Sequence, residues 1–303
     1  MNEAEVTSDR SFNTRRGILW MLAAMMMFSG TNALAKLLTE HYPVMQIVWA
    51  RYFFQLLLLV TFLGPRLKRV IVTNKLTVQI IRSLLLLGTS VLFFFGLSKV
   101  ALADISAIMF VAPIVVTALS MPLLGEKVGP RRWMGIAVGF LGALIIIRPG
   151  FGMMQMAAIF PFGAACLYAL YQISTRFLGR TDNTMTTLLY TASSGTVITS
   201  VLAPFFWVTP DATGWMMMAA LGVTSNLGHF SMIKAYEAAP VATVAPFAYV
   251  NLLWATMFGF ILFSELPDVW TISGAMIIAA SGLYIFHREN RRRPPNSQPE
   301  VTS

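Results

Sequence analysis

Between Gly17 and Phe286 the chain is a succession of apolar runs of about 20 residues separated by short polar breaks, the length a helix needs to cross a bilayer core. The pattern predicts ten helices, over 17–38, 44–63, 76–97, 102–122, 132–148, 153–176, 185–207, 213–235, 241–263 and 268–287. Gly and Pro punctuate several of these runs, as membrane helices tolerate when neighbours satisfy the freed backbone groups. The expected fold is therefore an all-α integral membrane protein of ten transmembrane helices, with hardly any chain left for a soluble domain.

Composition agrees with that reading. The 303 residues are 56% hydrophobic and 12% charged, with a mean hydropathy of +0.68; in soluble domains about a quarter of residues are charged. A net charge of +9 raises nucleic acid as a partner, but the placement of the charges argues against it. Arg10, Arg15, Arg16, Arg66, Lys68, Arg69, Lys75, Lys127, Arg131, Arg132, Arg176, Arg180, Lys234, Arg288, Arg291, Arg292 and Arg293 fall on one side of the expected topology, and only Lys99 and Arg148 on the other. Short-loop Lys and Arg mark the cytoplasmic side, so both termini are expected there. Residues 1–16 read as a cytoplasmic segment before a retained first helix, and 288–303 as a disordered basic and Pro-rich tail. The single cysteine, Cys166, lies in an apolar run, which removes disulfides and Cys-based metal sites from consideration.

An internal repeat organises the helices. Val100 to Gly142 matches Pro240 to Gly282 in layout at a shift of 139 residues, with Glu126 falling on Glu265 and Gly135 on Gly274. Each segment opens on a small-residue turn and runs into a helix with Pro113 or Pro246. Two five-helix halves, 17–150 and 151–287, follow. Five being odd, the second half enters the membrane inverted, the architecture of alternating-access carriers. Small residues such as Gly88, Gly96, Gly135, Gly139, Gly142, Ala164, Ala165, Gly222 and Gly228 suit close helix packing.

The stretch Ala101 to Ala107 through Pro113, Leu-Leu-Gly-Glu at 123–126, Arg-Arg-Trp at 131–133 and Ile-Ile-Ile-Arg-Pro-Gly at 145–150 resembles the repeated EamA domain of the drug/metabolite transporter superfamily. Lys234-Ala235-Tyr236, Ala245-Pro246-Phe247 and Phe263-Ser264-Glu265 resemble its second copy. The resemblance spans about residues 17–287 and implies ten helices, a central substrate cavity and transport without ATP hydrolysis.

Ionisable groups inside membrane helices cost roughly 2.5–3.5 kcal/mol each and are functional candidates by default. Here they are Lys36, Arg51, Arg82 and His229; Asp104, Glu126, Glu237, Glu265 and Asp268 all fall at helix ends. Three cations without embedded carboxylate partners point to an anionic or electron-rich substrate, although Lys36 and Arg82 have stems long enough to reach the interface. His229 lies beside Ser225 and Asn226. Asn32, Gln55, Tyr168, Tyr171, Gln172, Tyr249, Asn251 and Trp254 add amides and rings, with Tyr168/Tyr171 and Asn251/Trp254 each spaced i to i+3 on one helix face. Phe93 to Phe95 and the Met runs at 25–27 and 216–218 read as lipid-facing or gap-filling.

No His-Glu-x-x-His helix, Gly-x-Ser-x-Gly element or nucleotide loop occurs, so neither an intramembrane enzyme nor a cofactor or metal is expected. The expected partners are the lipid bilayer of a bacterial inner membrane and a small molecule: first a planar vitamin such as riboflavin, taken up, with amino acids or S-adenosylmethionine as the alternative.

Overall fold

The computed structural model describes residues 13–73, 75–124, 130–147, 157–178, 184–239 and 244–292, and among them the chain is helical throughout, with turns and no strand. The helices of eight residues or more are α1 (Thr14–Thr39), α2 (Val44–Leu63), α3 (Leu76–Leu97), α4 (Leu102–Met109), α5 (Ala112–Leu124), α6 (Pro130–Ile147), α7 (Ile159–Leu178), α8 (Thr184–Leu202), α9 (Ala212–Ala238), α10 (Asn251–Phe263) and α11 (Val269–Arg292). Among the described residues, four stretches are long and apolar enough to cross a membrane: Thr14–Thr39, Val44–Arg66, Leu76–Leu97 and Met185–Phe206.

Local chemistry sets the ends. The Asn13 side chain accepts from the Arg16 amide at 3.0 Å and starts α1. Pro43 precedes α2, and Gly64 ends it at φ +47°, where a side chain would be strained. Asp211 caps α9 by accepting from the Gly214 amide at 2.7 Å.

Two expected helices are interrupted. The run 102–122 breaks into α4 and α5 at Phe110 and Val111, because Pro113 has no amide proton for the Met109 carbonyl and its ring crowds that turn. In the run 241–263, a 3-10 turn, Ala245–Val250, carries Pro246 ahead of α10. The two interruptions meet: the Phe110 and Tyr249 rings pack edge to face at 4.9 Å. Elsewhere α8 stops at Leu202 before a 3-10 turn at Ala203–Phe206, and α11 continues to Arg292, beyond the expected start of a disordered tail at 288. Glu126 and Arg148 lie outside the described residues, as do 1–12 and 293–303.

Packing runs mostly between the two stretches of chain rather than within each. α1 lies along α9, α3 along α7 and α8, α2 against α8 and α9, and α6 along α11. The largest core gathers Tyr52, Phe94, Leu97, Ile105, Met218 and Leu221, so Phe93 and Phe94 fill the interior and do not face lipid. At the α6/α11 crossing the backbones nearly touch: a Cβ on Gly142 would sit 2.9 Å from the Gly274 carbonyl oxygen.

Gly142→Val is expected to cost about 1–3 kcal/mol by overpacking this crossing. Gly30→Ala, whose nearest neighbour would be Phe258 at 3.9 Å, is expected to leave stability unchanged or slightly raised. Thermal unfolding in detergent compares them. The Gly214 amide and then the Tyr42 hydroxyl hold the Asp211 carboxyl below its ordinary value. A depressed folded-state value stabilises above the unfolded value of about 3.9 and loses that stabilisation as pH falls. The melting temperatures of wild type and Asp211→Ala should therefore differ at neutral pH and converge below about pH 4.

Candidate functional site

Arg82 is the most deeply buried charge among the described residues, 4% exposed on α3. Its Nε donates to Thr175 Oγ1 at 2.7 Å on α7, and its Nη1 to Thr191 Oγ1 at 3.0 Å and the Thr187 carbonyl at 3.4 Å on α8. Nη2 donates to the Tyr171 hydroxyl, and the guanidinium carbon lies 4.4 Å from the centroid of that ring. Both threonine hydroxyls spend their own protons on carbonyls one turn back, Tyr171 and Thr187, which leaves their lone pairs for the guanidinium. Every one of these partners is neutral.

Arg51, on α2, is held differently. Ser90 on α3 gives its proton to the Leu86 carbonyl and so accepts from Tyr52, at 2.9 Å, and from Arg51 Nη1, at 3.4 Å. The rings of Phe94 and Tyr52 lie 5.7 and 5.9 Å from the guanidinium carbon. Arg51 Nε is buried without a partner. Arg51 on α2, Arg82 on α3, Tyr168 on α7 and His229 on α9 come from helices that pack on one another: α2 on α3 and α9, and α3 on α7. Tyr168 stacks on Tyr171 at 5.5 Å, and His229 packs edge-on against Phe28 at 5.0 Å.

Further buried polar atoms without partners are Ser29 Oγ on α1, Ser225 Oγ on α9, and Asn251 Oδ1 and Trp254 Nε1 on α10. Ser29, Asn32 and Lys36 repeat at i, i+3 and i+7, and Ser225 and His229 at i, i+4, so each set forms a polar stripe on an otherwise apolar helix. The structure adds Ser29, Ser90, Thr175, Thr187 and Thr191 to the residues picked from the sequence. The stripe spacing would have shown Ser29. The threonines carry no such signal, because their role depends on which helices meet.

Lys36 corrects an expectation, for it has a carboxylate partner. Its Nζ lies 2.6 Å from both oxygens of Glu265, with side-chain exposures of 12% and 32%, and also donates to the Val100 carbonyl at 3.3 Å. Glu265 Oε2 accepts the Leu102 amide at 3.3 Å, at the positive end of α4. Thr271 donates to Asp104 nearby at 2.7 Å. These bonds tie the end of α1, the α3/α4 turn and the segment after α10 together.

Three other picked residues have contacts of their own. Asn226 donates to the Gln55 carbonyl at 3.2 Å and lines an apolar groove of about 320 Å³ with Leu58, Phe62, Leu227 and Phe230. Gln55 is buried against α9, and the Tyr249 hydroxyl points at Gly282 on α11.

The model of the EamA-like transporter family matches this chain twice, over residues 15–148 and 155–286. Similar curated proteins include an S-adenosylmethionine uptake transporter of Rickettsia felis, 25% identical over 275 residues that cover 91% of this chain and 94% of that one. A riboflavin transporter of Vibrio cholerae is 27% identical over 282 residues, covering 91% and 95%. A pseudopaline exporter of Pseudomonas aeruginosa is 27% identical over 275 residues, covering 88% and 94%. A solved crystal structure, 17% identical, shares the fold at a TM-score of 0.64 over 91% of this chain and 98% of its own.

A double-mutant cycle of Lys36→Met and Glu265→Gln is expected to give a coupling of about 1–2 kcal/mol in thermal unfolding, between the values for exposed and buried pairs. Additive effects would mean the pair holds nothing together.

Proposed function

The chain belongs to the EamA-like transporter family, and from that premise we propose that it carries a small metabolite with a flat ring across a bacterial inner membrane by alternating access. The observation that carries this reading is the set of partnerless buried polar atoms, Ser29 Oγ, Arg51 Nε, Ser225 Oγ, Asn251 Oδ1 and Trp254 Nε1. In a bilayer-embedded core such atoms are costly, and a bound cargo would satisfy them in turn.

In this reading residues 17–150 and 151–287 are two inverted five-helix halves, ten spans in all, with both termini in the cytoplasm where the loop Lys and Arg collect. The meeting of two interrupted helices at Phe110 and Tyr249 supports a central site, since discontinuous helices mark carrier binding sites. The Lys36–Glu265 pair would close the outer end in the conformation described. Asn32, Arg51, Arg82, Tyr168, Tyr171, His229, Asn251 and Trp254 are the proposed cargo contacts. Lys36 would belong to the closure. Gln55, Asn226 and Tyr249 would support the surrounding helices.

Two cargo chemistries come from the relatives. Riboflavin offers a flat ring to the Tyr168/Tyr171 stack, and S-adenosylmethionine offers a flat adenine together with a charged amino-acid end. The test is counterflow in proteoliposomes carrying the purified chain, preloaded with either compound. Saturable exchange of labelled compound is expected for one of them, and unsaturable leak or no exchange would contradict the proposal. Arg51→Ala and Trp254→Ala are expected to reduce that exchange at least about tenfold, the scale of one lost charge-assisted contact, while inserting normally. Wild-type exchange in both would remove these residues from the site.

A further inference from the structure

Resting on the transport reading above, we propose that the cargo carries a carboxylate that binds Arg51.

The two arginines differ in how they are satisfied, and that difference carries the argument. Arg82 donates from Nε, Nη1 and Nη2 to oxygens on α7 and α8. It is pinned, yet each partner is neutral, so its charge stays uncompensated. Arg51 makes one hydrogen bond, a long one of 3.4 Å, to a serine oxygen that Tyr52 already uses. Its Nε is buried and unbonded. The faces of Tyr52 and Phe94 hold the guanidinium but supply no acceptor. An arginine kept for packing alone would find oxygens as Arg82 does. Arg51 instead presents a free donor edge.

No protein carboxylate compensates this pair among the described residues. The pairs Lys36–Glu265 and Lys234–Glu237 involve neither arginine. Asp104 bonds Thr271 near the first of these. A cationic group set against Arg51 would be repelled in a low dielectric, and an uncharged one would leave the guanidinium uncompensated. A carboxylate matches the planar fork of a guanidinium with two parallel hydrogen bonds and supplies the missing charge. Arg51 is the group that touches that carboxylate.

The test heats the full-length protein in detergent with a panel of carboxylates, each beside a carboxylate-free counterpart: S-adenosylmethionine with its decarboxylated form, and amino acids with the corresponding amino alcohols. At least one carboxylate is expected to raise the melting temperature while its counterpart does not. In Arg51→Gln the apparent affinity should fall at least about tenfold, and Arg51→Lys should recover part of it. Equal stabilisation by the counterparts, an undiminished response in Arg51→Gln, or no response to any carboxylate would overturn the proposal. Should Arg51→Gln fail to fold, the paired compounds decide on wild type alone. Riboflavin exchange in proteoliposomes without any carboxylate response would sink this inference and leave the transport reading standing. Absence of all exchange beside a clear carboxylate shift would do the reverse.

Discussion

A guanidinium cannot sit in the core of a membrane protein unless its N–H groups find oxygens and its charge finds an answer. Among the described residues the first requirement is met for Arg82 and the second is not. Tyr171, Thr175, Thr187 and Thr191 supply oxygens from two helices of the second half to an arginine of the first. The cage therefore fixes how α3 sits against α7 and α8, and it also fixes a positive charge beside the Tyr168/Tyr171 stack. One set of bonds orients the helices and sets the electrostatic character of the site.

The remainder of the fold keeps that region polar without letting the helices part. Close backbone approach at Gly142 and Gly274 joins α6 to α11, and apolar contacts join α1 to α9. Because the strongest packing runs between the two sequence halves, they interleave and do not form separate lobes. A rearrangement of one half against the other would then alter every wall of the polar region together. On the proposed reading, the Lys36–Glu265 pair at one end is the contact such a motion breaks, and its partial exposure keeps that break within a few kcal/mol.

Much of this was legible from the sequence. Apolar run lengths located most of the helices to within a few residues, the interrupted runs 102–122 and 241–263 apart, because hydrophobic length is nearly all a bilayer asks of a helix. Lone cations in apolar runs stood out for the same reason. What could not be read was pairing across the fold. Lys36 looked solitary because its partner, Glu265, lies 229 residues away and beyond the end of a helix. Asn226 looked like one polar turn with Ser225 and His229, yet one residue is 100° of helix rotation, enough to turn it to an apolar groove between α2, α8 and α9. Pro113 was expected to be tolerated within one continuous helix, and only the fold shows that the helix breaks there and that the break meets its counterpart at Tyr249.

Side-specific access to the polar stripe of α1 tests the account most directly. With the single native thiol removed as Cys166→Ser, Asn32→Cys is exposed to a membrane-impermeant thiol reagent from each side in turn. Alternating access predicts labelling from the side opposite the Lys36–Glu265 end while that pair is intact, and a shift toward the other side in Glu265→Gln. Equal labelling from both sides at once, or a pattern indifferent to Glu265, would contradict it.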